Sequence, residues 1–149
     1  MWDEMKTRHF FNNHDKQRIV SAIEEAEKLT SGEIRVHVES RAGEDIIARA
    51  KAVFESLGMA KTELHNGVLI YLATQDHKFA IIGDKGIDQK VPPGFWDDTK
   101  EKIRSRFKEG QFAEGVCLGI NLAGEHLAKY FPCQPGDINE LSNEISLGK

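Results

Sequence analysis

The sequence has few of the features that identify several large classes of proteins. It contains only two cysteines, Cys117 and Cys133, with no CxxC pair and no histidine at metal-ligand spacing, so neither a disulfide framework nor a zinc site is expected. The net charge is −4 and there is no basic run. Nucleic-acid binding is therefore not expected, because the neutralisation of phosphates needs clustered lysine and arginine.

Long apolar segments and common enzyme motifs are also missing. No segment approaches the roughly 20 apolar residues of a membrane-spanning helix, so no membrane insertion is expected. The first residues, MWDEMKTRHFF, lack the apolar region of a secretory signal, which predicts a cytoplasmic location. A P-loop, a GxGxxG dinucleotide loop, the GxSxG of hydrolases and the HExxH of metalloproteases do not occur.

Hydrophobic periodicity, in contrast, predicts an alternation of helices and strands. The alternating pattern of EIRVHVES (33–40) predicts a half-covered strand near the edge of a sheet, with His37 on its exposed face. The apolar run GVLIYLA (67–73) predicts a central strand, and FAIIG (79–83) predicts its hairpin partner. Helices are predicted over about residues 14–29, between Gly43 and Gly58, over about 94–108, and from Phe112 to a stop before Pro132.

The order of these elements predicts an α/β fold with a small mixed sheet. The strand–helix–strand unit over residues 33–73 should form a right-handed crossover between parallel strands, and the hairpin adds an antiparallel third strand. Asp84 should then emerge where the first two strands begin, near Glu33 and Asn66. One domain is expected over residues 14–132, flanked by an N-terminal extension (1–13) and a loose C-terminal tail (133–149) with few apolar residues.

Negative charge is concentrated in the loop IIGDKGIDQKVPPGFWDD, which contains Asp84, Asp88, Asp97 and Asp98. Like charges repel, so this loop needs either full solvation or a cation. Carboxylate oxygens suit Ca²⁺ or Mg²⁺ rather than zinc, and Glu33 could join the site from the same sheet edge. In the alternative interpretation, Asp84 and Asp88 are turn formers, while Asp97 and Asp98 offset the dipole of the helix that they open.

Several longer motifs occur in a fixed order: TSGEIRVHVES, LGM, HNGVLIYLA, KFAIIGDKGID, FKEGQFAEGVCLGI and AKYFP. This series resembles the TPM domain family, which is named for a thylakoid lumen protein, a photosystem II repair protein and a modulator of an acetylcholine receptor. The resemblance covers about residues 14–132 and implies a three-layer α/β/α sandwich around a mixed sheet. It also implies calcium binding, as in several members, and acid-phosphatase activity, as in some plant members.

The resemblance assigns the acidic residues individually. Asp84 and Asp88 match the acidic positions after the strand that ends in glycine, and Asp97 or Asp98 matches the next acidic position, before the helix. Glu33 matches the acidic start of the first strand, and a ligand role for it rests on the topology described above. The expected function is a TPM-like domain that binds a divalent cation, Ca²⁺ first and Mg²⁺ second, in a regulatory or scaffold role.

Two other functions stay open. In a metal-assisted acid phosphatase, the cation would polarise a phosphoryl oxygen and a carboxylate would orient water, with Lys85 and Lys90 as the basic residues of the loop. In a metal-free module that binds a protein partner, the aspartates would serve only solubility. Turnover of a phosphate ester and cation binding by stripped protein distinguish these functions from the first.

Overall fold

The computed structural model describes residues 10–133 and 141–148, which form four strands and five α-helices. Residues 1–9, 134–140 and 149 lie outside the described residues, and with them most of the predicted N-terminal extension and half of the predicted tail. The elements are α1 (Asn13–Glu27), β1 (Glu33–Glu39), α2 (Ile46–Ser56), a short 3-10 helix (Met59–Lys61), β2 (Gly67–Ala73), β3 (Lys78–Gly83), α3 (Lys85–Asp88), α4 (Asp97–Lys108), α5 (Phe112–Ala128) and β4 (Ser146–Leu147).

The strands form one mixed sheet in the order β3-β2-β1-β4. β1 and β2 run parallel and are connected through α2, which confirms that the predicted crossover joins parallel strands, and β2 and β3 form the predicted antiparallel hairpin. β1 lies one strand from the edge of the sheet, beside the two-residue β4, so the prediction that it lies near an edge is correct. The prediction that it is half covered is wrong, because six of its seven residues are buried. Its charged face suggested contact with water, but α2 and the C-terminal segment cover that face.

Helices cover both faces of the sheet and give the expected three-layer α/β/α sandwich. On one face α1, α4 and α5 pack against a core that includes the fully buried Ile34, Val36 and Ile70. On the other face α2 and the 3-10 helix pack against Leu69 and Tyr71. Successive side chains of a strand point to opposite faces, so each strand supplies both cores, and each large buried side chain contributes about 1.5–3 kcal/mol. None of the described helices is long and apolar enough to span a lipid bilayer.

The helix boundaries differ from the predictions by a few residues, for local reasons. Helix α1 begins at Asn13, one residue before the predicted start, because Asn12 caps it: the Asn12 Oδ1 accepts a hydrogen bond from the Asp15 N–H at 2.7 Å. Helix α4 begins at Asp97 instead of about residue 94. Gly94 has a φ of 76°, a left-handed conformation that a right-handed helix cannot include.

The described end of the C-terminal segment is ordered against the sheet, which corrects the prediction of a loose tail for residues 141–148. Ser146 and Leu147 pair in parallel with His37 and Val38, and the Gly148 N–H donates to the Val38 carbonyl at 2.8 Å. The pairing itself is made by the backbone and by polar groups, and Leu141 and Ile145 add isolated apolar contacts with the two cores. A hydrophobic pattern therefore cannot reveal them, and the tail has little such pattern.

Candidate functional site

The loop before β2 and the turn after β3 meet at one edge of the sheet. The Asp84 N–H donates to the Gly67 carbonyl at 2.9 Å, and the Gly86 N–H donates to the His65 carbonyl at 2.9 Å. Asp84 caps the single turn of α3, and its Oδ1 accepts from the Lys85 N–H at 2.7 Å. Asp84 therefore lies beside the start of β2, as the topology predicts.

The second oxygen of the Asp84 carboxylate is the unusual atom of this turn. Oδ2 is shielded from water and has no hydrogen-bond partner among the described residues, and the whole side chain is only 11 % exposed. His65 Nδ1 lies 3.5 Å from this oxygen, a charge pair only when the histidine is protonated. A buried carboxylate oxygen without a donor costs roughly 1–3 kcal/mol, and more when it is charged. The atom can be satisfied by protonated His65 or by a cation.

The other predicted ligands do not converge on Asp84 to form a complete site. Asp88 is exposed in the same turn as Asp84, and its N–H donates to the Asp84 carbonyl at 3.2 Å. Asp97 and Asp98 are exposed in the first turn of α4, and Asp98 Oδ2 pairs with Lys102 Nζ at 3.3 Å. Within residues 10–133 and 141–148, no three side chains of His, Cys, Asp or Glu form a group that could hold a metal ion.

Glu33 and Lys90 are engaged in other contacts. Glu33 is buried at the start of β1, and its Oε1 accepts a hydrogen bond from the Leu141 N–H at 2.8 Å. Lys90 Nζ lies over the Phe131 ring, 4.7 Å from its centroid. These contacts hold the C-terminal segment and the loop after α3.

A second polar cluster lies under α2, and the sequence did not predict it. Glu39, at the end of β1, is only 3 % exposed. Arg49 of α2 donates two hydrogen bonds to it, from Nε to Oε2 at 2.6 Å and from Nη2 to Oε1 at 2.8 Å. The Tyr71 hydroxyl donates to Oε2, and His37 Nε2 lies 3.0 Å from Oε1. Bidentate and charge-assisted bonds of this kind are among the strongest in proteins.

His37 connects this cluster to the C-terminal strand. Its Nδ1 lies 2.8 Å from Ser146 Oγ, and its ring stacks on Tyr71 with centroids 5.8 Å apart. The prediction that His37 lies on an exposed face is wrong, since the residue is buried. Serine, histidine and glutamate are the residue types of a hydrolytic triad. Here, however, His37 and Glu39 are both buried, which leaves a substrate no access to the ring, so we assign the cluster the structural role of holding β4 on the sheet.

The same contacts determine the ionisation of the cluster. Burial alone would raise the pKa of Glu39, but hydrogen bonds from Arg49, Tyr71 and His37 lower it to about 2. Burial and the hydrogen bond to Glu39 raise the pKa of the Tyr71 hydroxyl well above its ordinary value. Glu39 is therefore ionised and Tyr71 is neutral at physiological pH.

Glu27 of α1 reaches the start of β1, where burial opposes the ionisation of its carboxylate. Burial raises the pKa of Glu27 to about 7; the hydrogen bond from the Ile34 N–H opposes this rise, and the charges of Glu33 and Glu24 add to it. Glu27 Oε2 accepts that bond at 3.0 Å. Because the folded-state pKa is raised, the folded protein holds a proton that the unfolded chain releases. Stability should therefore fall as the pH rises from the ordinary glutamate value through about 7.

Replacement of Glu27 by glutamine is expected to stabilise the protein at high pH. Glutamine keeps an oxygen that can accept from the Ile34 N–H and removes the ionisation cost, so Tm should rise by about 3 °C at pH 8 and change little at about pH 4, below the ordinary glutamate pKa. Thermal unfolding at the two pH values measures this, with the exposed Glu125→Gln as the matched control. An equal shift at both pH values would show that the ionisation of Glu27 is not the cause.

Comparisons with known proteins agree with this architecture. The pattern of the TPM domain matches residues 5–126. The chain is also similar to the NMR structure of the BA42 protein from the psychrophilic bacterium Bizionia argentinensis, with a TM-score of 0.89 and 50% sequence identity over 93% of this chain and 96% of that chain. A search of curated proteins finds no match. The chain thus belongs to the TPM domain family.

Proposed function

We propose that this TPM domain binds a divalent cation at the turn of Asp84, with Ca²⁺ as the first candidate and Mg²⁺ as the second, in a regulatory or scaffold role. The observation that supports this proposal is Asp84 Oδ2, a carboxylate oxygen shielded from water without a hydrogen-bond donor among the described residues. A hard cation would satisfy that oxygen through a carboxylate ligand, the type that Ca²⁺ and Mg²⁺ prefer.

The site would be open rather than a closed cage. Asp88, one turn of α3 away, is the second carboxylate that could reach the ion, and water would supply the remaining oxygens. Asp97 and Asp98 start α4, where their charges offset the helix dipole, and Glu33 already accepts a bond from Leu141. A site with few protein ligands predicts moderate affinity, at which binding to the folded state still stabilises the protein.

Thermal unfolding of metal-stripped protein tests the proposal. Ca²⁺ at about ten times its Kd should stabilise the wild type by about 1.4 kcal/mol, which corresponds to a rise in Tm of a few degrees. Asp84→Asn should lose this rise, because asparagine can still cap α3 but carries no charge. Asp98→Asn, at an exposed residue paired with Lys102, is the matched control and should keep it.

An absent calcium response in the wild type would contradict the proposal. In that case His65 would be the group that contacts the Asp84 Oδ2 atom. The aspartate loop would then be a solvated surface, which is compatible with a metal-free interaction module. A response that survives in Asp84→Asn would place the ion elsewhere.

The phosphatase alternative is less well supported by the contacts of the loop. Lys90 lies over Phe131, and Lys85 is exposed next to the Asp84 cap, so the two lysines form no clamp for a phosphoryl group. Hydrolysis of a phosphate ester that is lost in Asp84→Asn would favour the enzyme over the binding domain. Hydrolysis that persists in that variant would indicate a contaminating activity.

A further inference from the structure

A cleft lies at the other end of the sheet from Asp84, between the β2–β3 hairpin and the second half of α4. Its volume is about 340 Å³. Phe79 and Phe107 form its apolar side, with ring centroids 5.3 Å apart in an edge-to-face arrangement, and Ile46 lines it from the start of α2. The cleft is therefore lined in part by aromatic carbon, which favours a flat apolar group.

The remaining lining residues are all basic: His77, Lys78, Arg104 and Lys108. No acidic side chain is among the described residues that line the cleft, although the whole chain has a net charge of −4. Arg104 lies over the Phe79 ring, 5.7 Å from its centroid, and also pairs with Glu101 outside the cleft. Neither Lys78 nor Lys108 has an ion-pair partner among the residues that the structure describes.

The backbone at the hairpin adds a further observation. His77 has a φ of 57°, a left-handed conformation that costs a residue other than glycine roughly 1–2 kcal/mol. Glycine would close this turn at lower cost. The histidine instead places a fourth basic group beside Lys78, and strained residues of this kind are concentrated at binding and active sites.

We propose that this cleft binds a small organic anion: an aromatic ring that carries a phosphate or a carboxylate group. The charged group would contact Lys78 and Lys108, and the ring would lie against Phe79 and Phe107. A bare inorganic anion would leave the aromatic side unused, and an uncharged aromatic compound would leave the lysines unused. The cleft and Asp84 lie at opposite ends of β3, so binding in the cleft does not depend on the cation proposed at Asp84.

Chemical-shift titration of the labelled full chain tests this proposal with defined probes. Phenyl phosphate and benzoate represent the two charged groups, inorganic phosphate represents the charge alone, and phenol represents the ring alone. Phenyl phosphate or benzoate should shift the amides of Lys78, Phe79 and Arg104 and bind at least about tenfold more tightly than either inorganic phosphate or phenol. The stronger of the two ring-bearing probes identifies the charged group that the cleft prefers.

Variants at exposed lysines separate a site from general attraction between charges. Lys78→Gln/Lys108→Gln should weaken binding about tenfold, since two charge contacts are lost. Lys61→Gln/Lys129→Gln removes the same charge from exposed residues outside the cleft and should leave binding unchanged. Equal losses in the two double variants, or equal affinity for inorganic phosphate and phenyl phosphate, would overturn the proposal.

Discussion

Glu39→Gln is expected to lower the free energy of unfolding by about 3 kcal/mol at pH 7, as measured by chemical denaturation. The substitution keeps the size of the side chain but removes the charge that Arg49 and Tyr71 contact. Glutamine can accept fewer hydrogen bonds than a carboxylate, so the buried hydroxyl of Tyr71 or the ring of His37 is left with a poorer partner. Loss of a partner in a buried polar cluster costs more than the cluster itself contributes.

The effect of this substitution should depend on pH. The folded-state pKa of Glu39 is depressed to about 2, so its contribution is present above the ordinary glutamate pKa and is lost as the pH falls towards 2. The difference in the free energy of unfolding between wild type and Glu39→Gln should therefore become smaller as the pH falls from about 5 to about 3.

Glu55→Gln on the exposed side of α2 is the matched control for Glu39 and should change stability by less than about 0.5 kcal/mol. If the free energies of unfolding of Glu39→Gln and wild type differ by the same amount from pH 7 to about pH 3, the effect of the substitution is not electrostatic. Altered packing around Tyr71 is then the cause.

Gly86→Ala is expected to destabilise the protein by about 3 kcal/mol and to displace the turn of Asp84. A methyl group at this position would overlap the backbone carbonyl oxygens of Leu64 and His65, which cannot move as a side chain can. The Gly86 N–H donates to the His65 carbonyl, so the two segments are already in direct contact. Chemical denaturation measures the loss, and the calcium response of the variant reports the position of Asp84.

Gly83→Ala, three residues earlier, is the control for Gly86. The added methyl group would lie 3.4 Å from Ile87 Cγ2, which is ordinary contact with a side chain, so the cost should be below about 1 kcal/mol. If the two substitutions lower the free energy of unfolding by the same amount, the close approach of Gly86 to the preceding loop does not stabilise this turn.

The elements predicted well from the sequence are those whose stability comes from apolar burial. The uninterrupted run GVLIYLA is a central strand with all seven residues buried, and its hairpin with β3 follows from a short polar connection. The crossover through α2 follows from the order strand, helix, strand, because two parallel strands need a long connection. Hydrophobic pattern, turn length and element order are local or general properties, so one sequence is enough to deduce them.

The polar part of the structure could not be deduced in the same way. Glu33, Arg35, His37 and Glu39 alternate with apolar residues, a pattern typical of a strand with one wet face. The face is instead covered by Arg49 and by Ser146, which is 109 residues from His37 in the chain. Pairings over such a distance leave no periodic signal in either segment. The aspartates that are close in sequence belong to two different helices: Asp84 and Asp88 to α3 and its cap, and Asp97 and Asp98 to the first turn of α4.

The side chain of Glu27 has a consequence for the outer edge of β1. Among the described residues, β4 pairs only with His37 and Val38, which leaves the first half of that edge without a strand neighbour. Unpaired backbone N–H groups on an edge strand can template edge-to-edge association with a second chain. The carboxylate of Glu27 accepts a hydrogen bond from the Ile34 N–H, and the next residue of the strand, Arg35, is charged. Within the part of the chain that the structure describes, a side chain from a neighbouring helix thus engages an edge N–H that could otherwise pair with a second chain.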